Sequence, residues 1–122
     1  MSKFEFNLNN TNWEIKETPK QWLIDKYNSE HDDKCTYVFG LCEYPTHIIH
    51  LNEELGIEQK IQTLRHELTH CWLWTMGASY ETYTEEEVCN KVSAMCEFVF
   101  NTSKEYFKPP LSIVDYFGDI SS

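Results

Sequence analysis

Residues 56–76 constrain the fold of this 122-residue chain more than any other stretch. Ile57, Ile61, Leu64, Leu68, Cys71 and Trp72 recur there at spacings of three and four. That period is the buried stripe of a long amphipathic helix. Gly77 follows as its stop, since glycine enters the left-handed region at no steric cost. Inside the helix stands His66-Glu67-Leu68-Thr69-His70. Residues four apart lie on one helical face, one turn from each other. His66 and His70 can therefore offer two imidazole nitrogens to one metal ion. Glu67 lies close enough to a metal-bound water to take its proton.

Each residue type serves that chemistry. Two neutral imidazoles hold Zn²⁺ and leave coordination positions open. The ion lowers the pKa of its water to about 7. A carboxylate then acts as general base at neutral pH. The pattern points to a zinc metallopeptidase, with Zn²⁺ as cofactor, His66 and His70 as ligands and Glu67 as the catalytic base. A merely solvated helix face is the plain alternative. The motif interrupts an otherwise apolar helix, so its polar residues are expected in a cleft and not on an open face.

The length suits a single domain spanning residues 1–122, with a hydrophobic core that needs no disulfide staples. A net charge of −10 excludes nucleic acid as a partner, because phosphates are repelled, and disfavours anionic membranes. Solubility is its simplest consequence. The five cysteines are odd in number and form no C-x-x-C pair, so neither a disulfide framework nor a cysteine zinc site is expected. Cys71, Cys89 and Cys96 fall in expected helices, where free cysteine acts as a small buried hydrophobe. Free thiols suit a reducing compartment. Met1 to Glu5 carry no apolar run of a signal peptide, and no stretch is apolar enough to span a membrane. A cytoplasmic protein is expected, or one delivered by a non-classical route.

Phe4 to Leu8 and Asn12 to Glu17 predict a hairpin around the Asn9-Asn10-Thr11-Asn12 turn cluster. Thr18-Pro19 predicts a helix start, Thr18 capping and Pro19 in the first turn, with the helix reaching about Asn28. A polar loop follows to Lys34, in which His31 reads as solvated. Cys35 to Glu43 is rich in β-formers and reads as a strand, with Gly40 at a bulge. Tyr44-Pro45 turns the chain into a second strand from Thr46 to Leu51, antiparallel to the first. His47 and His50, three apart, point to opposite faces, so they cannot both face a metal. After the motif helix and a connector, Thr84 and Glu87 form a capping box for a helix from Glu85 to about Asn101. Val88, Val92, Met95 and Val99 are its apolar stripe. Lys108-Pro109-Pro110 ends regular structure, and the tail from Leu111 packs as a short helix or cover.

A catalytic zinc needs a third protein ligand. Glu85, Glu86 and Glu87 open the second helix and are the candidates, although acidic residues also suit a helix N-terminus. Glu85 points nearest the apolar stripe and Glu86 lies at its edge. Asn90 shares a face with Glu86 and could orient a ligand histidine. Ser93 and Ala94 let the two helices approach closely. Glu86 is favoured, with Glu85 and Glu87 left open.

Thr63-Leu64-Arg65-His66-Glu67-Leu68-Thr69-His70, followed by Glu86-x-x-Cys89-Asn90-x-Val92-Ser93-Ala94, resembles the ImmA/IrrE-type zinc metallopeptidases, small gluzincins of phages and mobile elements. Cys89 and Val92 depart mildly from that pattern. The resemblance runs from Thr46 to Phe100. It implies His66, His70 and Glu86 as zinc ligands, Glu67 as base, and Thr46 to Leu51 as an edge strand along the cleft. His-Glu-Leu-Thr-His-Cys-Trp-Leu-Trp is also similar to the SprT-like class, whose third ligand is a histidine; no histidine follows His70 here. The expected fold is α+β and zincin-like: a small antiparallel sheet packed on the motif helix and on a second, ligand-bearing helix. The expected function is hydrolysis of a peptide bond in a protein or peptide substrate added to the exposed strand. Tyr80, Tyr83, His47 and His50 are candidates to stabilise the oxyanion. The alternative is a non-catalytic, acidic protein-binding regulator on the same scaffold. Glu67 argues for chemistry, since a structural metal site needs the histidines and not this carboxylate.

Overall fold

The computed structural model describes residues 3–78 and 83–108. Asn9 and Asn10 both take positive φ, 51° and 63°, the conformation of a two-residue hairpin turn that matches strand twist. They join β1 (Phe4–Leu8) to β2 (Thr11–Thr18), which pair antiparallel. β2 runs into α1 (Lys20–Glu30). Beyond α1 the chain reaches β3 (Gly40–Glu43), turns, and returns as β4 (Ile48–Asn52). The sheet order is β1-β2-β4-β3.

β3 and β4 form the expected antiparallel hairpin, but β2 and β4 run parallel. The sheet is therefore mixed and not antiparallel. The cause is the crossover: α1 carries the chain past the place of β4 to the far edge, and the hairpin then fills the gap in the direction of β2. Two further expectations change. The strand that begins near Thr46 is paired on both sides; among the described residues the sheet's two edges are β1 and β3, and β3 is the edge that lies against α2. Regular pairing in β3 starts only at Gly40 and not at Cys35.

α2 (Ile57–Thr75) and α3 (Glu85–Tyr106) follow. α2 buries Leu64, Leu68, Cys71 and Trp72 against Trp13, Ile15, Ile49 and Leu51 of the sheet. Thr84 caps α3, accepting from the Glu87 amide as the capping box predicts. α3 then runs past Asn101, and only its later turns join the core, through Met95, Phe98, Val99 and Tyr106. Val88 and Val92 stay outside it, as do Cys89 and Cys96, which are exposed and not buried as expected. All five cysteines are free thiols. α1 is engaged with β4 through Trp22, whose ring lies tilted against that of His50, centroids 4.6 Å apart. No helix among the described residues is long and apolar enough to cross a membrane. The expected C-terminal cover, residues 111–122, lies outside the described residues.

Candidate metal centre

The i, i+4 geometry of α2 brings the two histidines together: the Nε2 atoms of His66 and His70 are 3.2 Å apart. Two nitrogens bound to a tetrahedral zinc at about 2.0–2.1 Å each stand about 3.3 Å apart, so the pair fits that ion. The spacing also suits a hydrogen bond between neutral rings, and both arrangements need at least one unprotonated nitrogen. The His70 ring is partly shielded from water by the cleft wall; this, with the nearby His66 second, holds its pKa below the ordinary value. Both histidines are exposed, so the expectation that the whole motif is sunk in a cleft holds only for Glu67.

Glu67 points into the gap between α2 and β3 and is 8% exposed. Burial alone pushes its carboxyl up to about 7, the range a general base at neutral pH requires. It stands where two clefts meet. One, of about 570 Å³, lies on the His66 side and is walled by Tyr37, Phe39, Gln59 and Thr63. The other, of about 510 Å³, lies on the His70 side and is walled by Lys26, Glu43, Tyr44 and Thr46.

Gly40 makes this approach possible. A Cβ there would lie 2.7 Å from Thr63 Cγ2, 2.9 Å from the His50 carbonyl oxygen and 3.4 Å from Glu67 Cγ. No side chain fits without moving the strand off the helix. Gly40 is thus a residue of close approach and not of a bulge.

His50 is not available to a ligand. It is 1% exposed and bridges two partners: Nδ1 lies 2.8 Å from Thr18 Oγ1 and Nε2 lies 3.0 Å from Glu43 Oε1. The arrangement places the proton on Nε2, donating to the carboxylate, while the threonine hydroxyl donates to Nδ1. Thr18 therefore spends its hydroxyl on the sheet, and α1 starts without the side-chain cap its sequence predicts. Burial lowers the His50 pKa and outweighs the upward pull of Glu43. Burial also opposes ionisation of Glu43, but hydrogen bonds from His50, Thr46 and Lys26 overcome it and hold that carboxyl below the ordinary range. His47 lies over Trp13, with ring centroids 5.0 Å apart.

The third ligand is not brought to this pair. Glu85, Glu86 and Glu87 are all exposed in the first turn of α3, and Asn90 is exposed one turn on. Among the described residues no three His, Cys, Asp or Glu side chains converge into a group that could hold a metal. Tyr83 donates its hydroxyl to the Ala78 carbonyl. Tyr80 lies outside the described residues. Sequence reasoning missed Tyr37, Phe39 and Gly40 as parts of the site. The signal was present: a glycine after a run of β-formers marks either a bulge or a close approach, and the two aromatics sit just before it. Comparisons with protein-family models, with curated proteins and with solved structures find no match to this chain.

Proposed function

We propose that this protein is a zinc-dependent metallopeptidase that hydrolyses a peptide bond of a protein or peptide substrate. The observation that carries the reading is Glu67: a buried carboxyl with its pKa near 7, adjoining two converging imidazoles, at the junction of two clefts beside β3, an edge strand among the described residues. His66 and His70 hold the ion in this reading, and Glu86 completes the set. Val88 and Val92 are exposed, so drawing the first turns of α3 towards the imidazole pair breaks no core contact. When bound, zinc supplies Lewis acidity, lowering the pKa of water and polarising a carbonyl. Glu67 accepts the proton of the attacking water and returns it to the leaving amine. The walls of β3 and α2 exclude bulk water from that carboxylate, which keeps it basic. The resemblance of the motif to the ImmA/IrrE-type gluzincins supports the same roles and points to a phage or mobile-element setting. Free thiols support a cytoplasmic one.

A second reading has its own observation. Glu86 stands apart from the imidazole pair, which favours an acidic, non-catalytic protein-binding protein on the same scaffold. Metal content separates the two. Protein purified without added metal is compared with His66→Ala, Glu67→Gln and Glu86→Gln by elemental analysis and zinc titration. One tight zinc per chain, lost in His66→Ala, weakened in Glu86→Gln and kept in Glu67→Gln, supports the peptidase. Glu67→Gln should also lower cleavage of an unfolded protein substrate by roughly 10²–10⁴-fold. No stoichiometric metal in the wild type sinks the peptidase reading and leaves the binding protein.

A further inference from the structure

Tyr37 and Phe39 are large aromatic side chains left 40% and 50% exposed, directly before β3, which is an edge strand among the described residues, and in the same cleft as His66 and Glu67. They pack edge to face, ring centroids 5.3 Å apart. They are exposed yet held. Val38 between them is buried, and Asn52, itself 0% exposed, grips this segment twice. Its side-chain amide donates to the Val38 carbonyl at 3.0 Å, and its backbone amide donates to the Phe39 carbonyl at 2.8 Å. A buried asparagine thus fixes the backbone that carries two unburied rings. That is the geometry of a preorganised recognition surface, in which little ordering remains to be done on binding.

The same Asn52–Phe39 bond sets the phase of the ladder. Phe39, Leu41 and Glu43 turn their backbone groups towards β4, so those of Gly40 and Cys42 face outward. An extended chain can add there as another strand. Charge narrows its composition. The far cleft carries Glu30, Glu43 and Glu67 against Lys26, and the whole chain carries −10. Acidic segments are repelled.

We infer that Tyr37 and Phe39 form a specificity pocket for one large apolar side chain of an extended, non-acidic peptide laid along the outer edge of β3. The inference rests on the peptidase reading for its substrate class. Gln59 at the rim offers polar partners to the peptide backbone, while the two rings cover the apolar side chain.

The test uses blocked octapeptides of alanine and serine with one lysine, in which a single phenylalanine is moved along the chain, and their phenylalanine-free parent. Binding is measured by backbone amide NMR on zinc-supplemented Glu67→Gln protein, with Phe39→Ala, Phe39→Leu and Tyr37→Ala added to that background. Both positions are exposed, and unfolding temperatures confirm that the variants fold. Phenylalanine peptides should bind about tenfold more tightly than the parent, a ratio within reach of one aromatic anchor. Gly40 and Cys42 amides should shift. Phe39→Ala and Tyr37→Ala should remove the preference and Phe39→Leu should keep most of it. Equal affinity for phenylalanine peptides and parent overturns the pocket, as does a preference that survives both alanine variants. Cleavage by wild type, mapped by mass spectrometry, is read separately. Cleavage indifferent to phenylalanine overturns the pocket and leaves the peptidase standing. An aromatic preference in binding without any cleavage supports the pocket and counts against the peptidase.

Discussion

A carboxyl group held as far from water as Glu67 destabilises the fold whenever it is ionised. Its folded pKa of about 7 lies above the ordinary 4.5. The stability it contributes is therefore complete below pH 4.5 and is lost as pH rises through 7. The gap between the two values corresponds to roughly 3 kcal/mol. Glu67→Gln should then stabilise the chelator-treated protein at pH 8, by roughly 1–3 kcal/mol, and change little at pH 4.5. Denaturant melts at the two pH values check this; an equal effect at both would show that the side chain is not a buried titrating group. Such a gain, set against lost activity, is what a residue kept for chemistry predicts. Gly40 gives the converse case. Gly40→Ala places a methyl against Thr63 and the His50 carbonyl, and overpacking of that kind costs typically 1–3 kcal/mol. The same melts should show destabilisation, together with displaced Glu67 resonances. An unchanged midpoint would mean that β3 does not lie this close to α2. At this scale the approach of the two imidazoles was legible, because helical spacing is local. A cleft around Glu67 was expected as well, but not the wall that makes it, since that is a strand about twenty-five residues earlier in the sequence pressing on the helix.

The elements divide along the same line between local and distant causes. The Asn9-Asn10 hairpin and the Thr84 cap follow from neighbours in sequence and appear as expected, as does the stripe of α2 from Leu64 to Trp72; Ile57, at the head of that stripe, is exposed and Ile61 stays outside the core. The parallel pairing of β2 with β4 joins residues more than thirty apart, and no local pattern reveals it. It also explains why Thr18 abandons its cap: the pairing sets Thr18 level with Asn52, near the His50 ring. That buried bridge makes the sheet sensitive to acid. The folded pKa of His50 lies below its ordinary 6.5, so the unfolded chain takes up the proton first. Stability from this residue is lost as pH falls through 6.5 towards the folded value. Glu43, whose carboxyl is held down, adds a second loss below 4.5. Glu67 works in the opposite sense between 4.5 and 7, so the wild-type profile is flattened. The difference between wild type and His50→Gln isolates the histidine. Wild type should lose stability relative to the variant between pH 7 and 5, with a slope of at most about 1.4 kcal/mol per pH unit. A flat difference across that window would mean that His50 is not buried as a neutral ring.

Stability in the whole molecule is spread unevenly, and the gradient runs along α3. Its later turns are fastened to the core: Phe98 meets Phe6 at 5.6 Å, Tyr106 meets Phe4 at 5.2 Å, and Ser103 is buried beside Arg65. Its first turns carry Val88 and Val92 in the open, together with the three glutamates. A helix segment with few buried contacts opens at low free energy, whereas core elements open only with the whole fold. In metal-free protein, hydrogen exchange should be fast at amides 85–92, slower at 95–106 and slowest in α2 and β4. This gradient bears directly on the proposed zinc site. The imidazole pair is already set at zinc spacing by α2, so the ordering that accompanies binding must fall on whichever element supplies the third ligand. If that element is the acidic turn of α3, zinc should slow exchange at 85–92 and leave α2 nearly unchanged, and Glu86→Gln should abolish the effect while Glu85→Gln and Glu87→Gln preserve it. Protection that survives Glu86→Gln but fails in one of its neighbours would move the ligand by a single residue and keep the helix. Zinc that binds without slowing any amide of α3 would place the third ligand on another element, and the two-helix metal centre would have to be abandoned even if the protein is a peptidase.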